Sequence, residues 1–196
     1  YINTEFDLHI ITIEDPIEYF HNHRKSIVTQ REVGVDVPSF AEGIRRALRQ
    51  DPDVILVGEM RDQETFQAGL IAAETGHLVF GTLHTSSAAS TIGRILDLFP
   101  PDKHKLMRQS LSFNLKCIIC QKLVPAYREA PVVPVVELMF TNASICKAIE
   151  EGEDSRIADL IAVGREEGML SWTDSFVKMV RDGYVEKKVA RQFVPN

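Results

Sequence analysis

Asp51-Pro52-Asp53-Val54-Ile55-Leu56-Val57-Gly58-Glu59-Met60-Arg61-Asp62 carries the chain's strongest fold signal. Its middle is an unbroken apolar run rich in β-branched residues. A strand buried on both faces of a parallel sheet has this character. The run stops at Gly58-Glu59, which sets a carboxylate at the carboxyl end of a buried strand. Open α/β sheets bind their ligands at that end.

Two other runs follow the same rule. Leu8-His9-Ile10-Ile11-Thr12-Ile13 ends at Glu14-Asp15-Pro16, and Pro16 closes the strand because it cannot donate to a ladder. Leu78-Val79-Phe80-Gly81-Thr82-Leu83 ends at His84-Thr85-Ser86-Ser87. Ser26 to Gln30 reads as a further short strand. Helices separate the runs. Ser39 caps one that carries Phe40, Ile44 and Leu48 on one face and Arg45, Arg46 and Arg49 on much of the rest. Asp62 caps another that runs to Thr75 and stops at Gly76. Strand, helix, strand, helix, strand implies a parallel sheet with right-handed crossovers. Glu14, Glu59 and His84 then line one edge, a convergence that unrelated turns would not produce.

Composition sets the bounds. The chain has 196 residues with 44% hydrophobic and 26% charged, the balance of a globular core. No apolar run reaches the roughly 20 residues of a membrane helix. A net charge of −6 argues against broad electrostatic nucleic-acid binding, so no nucleic-acid partner is expected. The three cysteines, Cys117, Cys120 and Cys146, suit a reducing cytoplasm rather than a disulfide framework. The first residue is Tyr1 rather than methionine, which is expected of a fragment.

Past the third run, the hydroxyls of Thr85, Ser86 and Ser87 can cap a helix to about Leu98. Asp102 opens another, expected to run from Lys103 to Lys122 and to carry Cys117 and Cys120 on one buried face. A structural zinc site wants four ligands, and no second cysteine pair follows. Strands are expected at 121–125 and 132–140, then helices at about 145–152, 155–166, 172–182 and 186–193. The Trp172, Phe176, Met179, Val180 stripe reads as core. His21-Asn22-His23 lacks the context of a nuclease motif.

Two carboxylates on one sheet edge suit a magnesium nucleotide site. One can hold the metal, directly or through water. The other can deprotonate or orient an attacking water, and a histidine can contact a terminal phosphate. The phosphate cradle is missing: no G-x-x-x-x-G-K-[ST] occurs in these residues.

Ile13-Glu14-Asp15-Pro16-Ile17-Glu18-Tyr19 resembles the aspartate box of the secretion and type IV pilus motor ATPases. Asp51 to Asp62 resembles their Walker B segment. Ala73-Glu74-Thr75-Gly76-His77-Leu78-Val79-Phe80-Gly81-Thr82-Leu83-His84-Thr85 resembles their histidine box. The likeness covers residues 8–125 closely and is nearest to the retraction motors of twitching motility. It implies a RecA-like P-loop NTPase core over residues 1–140 and a C-terminal helical region over 141–196. It implies an ATP-hydrolysing, Mg²⁺-dependent homohexamer, cytoplasmic and peripheral to the inner membrane, working on an inner-membrane platform protein. The Walker A loop and an N-terminal domain that supplies arginines would lie upstream of Tyr1, leaving one side of the sheet bare.

Carried over position by position, Glu14 is the water-activating base, Glu59 the acid near Mg²⁺, and His84 a γ-phosphate contact. Asp15, Arg31, Arg61 and His77 fall in matched motifs as further nucleotide-site candidates. His77 and His84 should sit about 23 Å apart, at opposite ends of one strand. The four-cysteine zinc element of extension and type II secretion motors is absent, which favours retraction. Against that, Ala143-Ser144-Ile145-Cys146-Lys147-Ala148-Ile149 stands where retraction motors carry Ala-Ile-Arg-Asn-Leu. Extension motor, secretion motor, and a fragment that binds partners without binding nucleotide therefore stay open as alternatives.

Overall fold

The structure is a computed structural model that describes residues 1–127 and 131–193. By internal contacts the chain forms two compact units, Tyr1–His84 and Thr85–Asn196.

The first unit is built on four parallel strands: β1 (His9–Glu14), β2 (Ile27–Glu32), β3 (Val54–Val57) and β4 (Leu78–Gly81), in the order β2-β1-β3-β4. The short helix α1 (Ile2–Glu5) precedes them, and α2 (Phe40–Ala47) and α3 (Gln63–Glu74) form the crossovers. Ile11, Ile13, Ile55 and Val57 are at most 1% exposed, which explains the unbroken apolar runs. Ile44 and Ala47 of α2, and Phe66, Ala68 and Ala72 of α3, are buried with them. The caps are as the sequence indicates: Ser39 Oγ accepts from Glu42 N, and Asp62 from Thr65 N. Gly76 takes φ +98°, a conformation that β-carbons disfavour. The strand at the β4 edge leaves Leu78 and Phe80 almost half exposed.

Registers fix the functional edge. Ile13 pairs with Val57, and Gly58 N donates to Ile13 O at 2.7 Å, so Gly58 lies beside Glu14. A β-carbon on Gly58 would meet Ile13 O at 3.1 Å and Glu14 Cα at 3.2 Å. Beyond β4, Thr82 Oγ1 donates to Gly58 O, and Met60 N donates to Thr82 O at 3.0 Å. The buried Met60 side chain occupies the space left by the missing side chains of Gly69 and Gly81.

The second unit pairs β5 (Cys117–Pro125) with β6 (Val132–Phe140) in an antiparallel ribbon. Around the ribbon are α4 (Ala88–Leu96), α5 (His104–Asn114), α6 (Ala143–Glu151), α7 (Ile157–Val163), α8 (Trp172–Arg181) and α9 (Lys187–Phe193). The sequence reading groups residues 1–140, whereas β5 and β6 pair with each other and belong with the C-terminal helices. The Trp172 stripe is core, as expected: Phe176 is 1% exposed among Val124, Val135, Val185 and Ala190, with Trp172, Met179 and Val180 packed against them.

One expectation is corrected. The helix opened near Asp102 ends at Asn114, and Cys117 and Cys120 lie on β5. Three residues apart on a strand, they point to opposite faces. Cys120 is buried and pairs in register with Glu137, while Cys117 pairs with Phe140 at the ribbon's end. Pairing with the Val-rich β6 outweighs the helical spacing, an override of local pattern by tertiary context.

Because Gly58 has no room for a side chain against backbone, Gly58→Ala is expected to lower stability by about 1–3 kcal/mol. An unchanged melting temperature would contradict this.

Candidate functional site at the carboxyl edge of the sheet

Buried Ile13 and Val57 precede Glu14 and Glu59 at the carboxyl ends of β1 and β3, whereas β4, the exposed strand, leads on to His84. Glu14 closes β1 and is partly buried. Its Oε1 accepts from Thr12 Oγ1 at 2.6 Å and from Gln30 Nε2 at 3.0 Å. Glu59 stands two residues beyond β3, with a side chain 20% exposed. Arg61 Nη2 lies 2.5 Å from Glu59 Oε2, and His84 Nε2 lies 3.3 Å from Glu59 Oε1. The Arg61 guanidinium holds the Glu59 carboxyl below the usual carboxylate range, with His84 a smaller contributor in the same direction. Asp15 adds to the field that raises Arg61, after Glu59. The His84 ring is 86% exposed, open to a ligand on its outer side.

The edge therefore gathers Glu14, Asp15, Glu59, Arg61 and His84. Arg31 and His77 are placed elsewhere. Arg31 pairs with Ile13 in register, and its guanidinium reaches Gln50 Oε1 at 3.4 Å and lines a hollow beside α2 with Asp36 and Arg46. Its side chain is thus on the opposite face of the sheet from that of Glu14. His77 stands before β4, at the sheet's other end, where Nδ1 lies 2.9 Å from Ala72 O and 3.2 Å from Thr75 Oγ1. It completes the turn after α3.

Other candidates resolve into structure. His23 Nδ1 accepts from Val28 N at 3.0 Å, and His21 meets Tyr19 edge-on at 5.0 Å, so this His-Asn-His run folds a loop. Burial pushes the Cys117 and Cys120 thiols up, away from the nucleophilic thiolate. On α2, Arg45 and Arg46 are paired with Glu42, and Arg45 also with Glu64. No helix of the described residues is long and apolar enough to cross a membrane.

Three polar residues escape sequence reading. Thr12 and Gln30 touch the Glu14 carboxylate across adjacent strands. Their signal was strand alternation, since Thr12 is two residues from Glu14, and Gln30 two residues before the register partner Glu32. Glu137 is 5% exposed in β6, and its carboxylate accepts from Ala88 N at 2.7 Å at the start of α4. Burial pushes its carboxyl up. A lone acid in an apolar run gives no such signal.

A family model, the type II/IV secretion system protein, matches residues 1–184. The chain belongs to the type II/IV secretion system protein family. It is 43% identical over its whole length to a twitching motility protein of Neisseria gonorrhoeae, covering 52% of that protein. Over 98% of the chain it is 43% identical to the type IV pilus retraction ATPase PilT of Pseudomonas aeruginosa, covering 56% of it. A solved structure titled as the pilus retraction motor PilT with bound ADP superposes with a TM-score of 0.89 at 46% identity, covering all of this chain and 55% of that one. The chain thus spans about half the length of the relatives it matches. For this secretion-family chain, the α/β class with a parallel sheet and C-terminal helices is borne out.

If Arg61 is what depresses the Glu59 carboxyl, Arg61→Ala raises its midpoint toward the ordinary value of 4.5. A depressed native value stabilises the fold above the unfolded value and is lost as pH falls through the native one. Wild type should therefore lose more stability than Arg61→Ala below pH 4.5. Carbon-detected NMR titration of the Glu59 carboxyl checks it, and an unmoved midpoint would refute the assignment.

Proposed function

We propose that this chain is the catalytic-edge half of an ATP-driven ring motor for type IV pilus retraction. The observation that carries the reading is the convergence of Glu14, Glu59 and His84 at the carboxyl ends of three adjacent parallel strands. The PilT relatives and the ADP-bound neighbour support it.

In this reading Glu14 takes a proton from the attacking water. The water oxygen bonds to the γ-phosphorus as the bond to the β-γ bridging oxygen breaks, releasing ADP and phosphate. His84, exposed beside Glu59, donates an N–H to a γ-phosphate oxygen. Arg61 and Asp15 set the charge around Glu59. Arg31 and His77 serve the fold.

Among the described residues no group of three or more His, Cys, Asp or Glu side chains could cage a metal. That fits Mg²⁺, which keeps several waters and shares one carboxylate with substrate phosphates. Glu59 would hold it, and the ion would supply charge neutralisation to the triphosphate. Phosphate grip must come from outside these residues, because they hold no Gly-rich cradle.

The working protein on this proposal is a homohexamer on the cytoplasmic face of the inner membrane, acting on a platform protein of the pilus machinery. It has no nucleic-acid partner. Extension and secretion motors share the motifs, so direction rests on the retraction relatives.

In the full-length protein, Glu14→Gln and Glu59→Gln should each cut ATP turnover by about 10²-fold or more while leaving nucleotide binding in place. Turnover retained in both ends the assignment. Calorimetric titration of Mg-ATP should show binding to the full-length protein and none to residues 1–196 alone.

A further inference from the structure

Glu14 is held by a bridge that spans two strands and a loop. Gln30 sits on β2, one strand away from β1, with its register partner Thr12 two residues before Glu14. Strand alternation puts Thr12, Glu14, Gln30 and Glu32 on one face. The Gln30 side-chain amide uses both ends. Its Nε2 donates to Glu14 Oε1 at 3.0 Å and to Tyr19 O at 2.9 Å, while its Oε1 accepts from His21 N at 2.7 Å.

The Tyr19 and His21 contacts imitate a strand pairing: one side-chain amide replaces a peptide opposite the loop. Two residues on, Glu32 Oε2 accepts from Ile17 N at 3.1 Å. The loop that follows Glu14 is therefore pinned twice to β2. The amide that pins it at Tyr19 and His21 also holds the carboxylate. Thr12 Oγ1 donates to the same oxygen at 2.6 Å.

Both bonds fall on Oε1. Among the described residues Oε2 receives no hydrogen bond. A carboxylate with one oxygen tied by two neutral donors has its plane fixed, and the other oxygen keeps its lone pairs for an incoming proton. Neither donor carries a charge, so orientation is gained without an ion pair at the base.

We propose that Gln30, with Thr12, is the positioning residue of the base: it fixes the Glu14 carboxylate so that Oε2 faces the attacking water. This rests on the base role given to Glu14 above. A small misplacement of a catalytic group costs on the order of 10²-fold in rate. Losing a positioning bond should therefore show in kcat and not in nucleotide affinity.

The test is steady-state ATP hydrolysis by the full-length protein, with fluorescent-nucleotide binding and thermal melting alongside. Gln30→Leu, close in shape but without any of the three amide contacts, should lower kcat by about tenfold or more, with KM for ATP changed by less than about twofold. Thr12→Val should lower kcat in the same way, and Thr12→Ser, which keeps the hydroxyl, should restore it. The Thr12 pair decides the matter even where Gln30→Leu fails to fold. Wild-type kcat in folded Gln30→Leu, or equal kcat in Thr12→Val and Thr12→Ser, overturns the inference. Glu14→Gln is measured beside them. Its inactivity with normal Gln30 and Thr12 variants overturns only this inference, while its full activity removes the base role and this inference together.

Discussion

The backbone hydrogen bond from Gly58 to Ile13 is the constraint on which the site depends. It extends the parallel ladder between β1 and β3 past the last apolar pair, to the point where both strands turn acidic. The absent side chain at position 58 lets the two backbones approach to 3.2 Å between a would-be β-carbon and Glu14 Cα. The same extension reaches β4 through Thr82, which bonds to Gly58 and Met60. Without those contacts the three strand ends would splay, and Glu14, Glu59 and His84 would be three unrelated surface groups.

The two carboxylates have different partners. Glu59 faces a guanidinium and an imidazole and is held ionised by charge. Glu14 faces a hydroxyl and an amide and is held in place by neutral donors. One carboxylate of the edge is thus ion-paired, and the other is fixed by neutral hydrogen bonds. Arg61 occupies one Glu59 oxygen and His84 the other, so a ligand at Glu59 has to compete with contacts already made.

The two units differ in how their local pattern relates to their packing. In the first, strand runs, caps and turns all agree with the final fold, which is the consistency expected of a well-specified sequence. In the second, the ribbon takes residues from a stretch that reads as helix. Ile118, Cys120 and Val124 face inward opposite Met139, Glu137 and Val133 across β6, and burial of that face outweighs a helical spacing of two cysteines. Arg108 fastens the helices beside it, donating to Ile149 O at 2.9 Å and to both oxygens of Asp154 at 2.7 Å.

The parallel sheet, its three acidic or histidine-bearing ends, the capped helices between them and the family can all be read from the chain's local pattern. Period and breakers are local properties: a β-branched run cut by Gly58-Glu59 or closed by Pro16 reads the same in isolation as in the fold. The same pattern also places His77 and His84 at opposite ends of one strand, by length alone. Which side chains touch is set by the packed fold. Arg31 and Gln30 are neighbours in one strand, yet they face opposite sides of the sheet, and only the register with β1 brings Gln30 to Glu14. The boundary between helix and strand before Cys117, the contact of Glu137 with the start of α4 and the pairing of His84 with Glu59 likewise depend on residues brought together by the fold. A contact between distant residues is set by strand register and packing, and no local pattern encodes it.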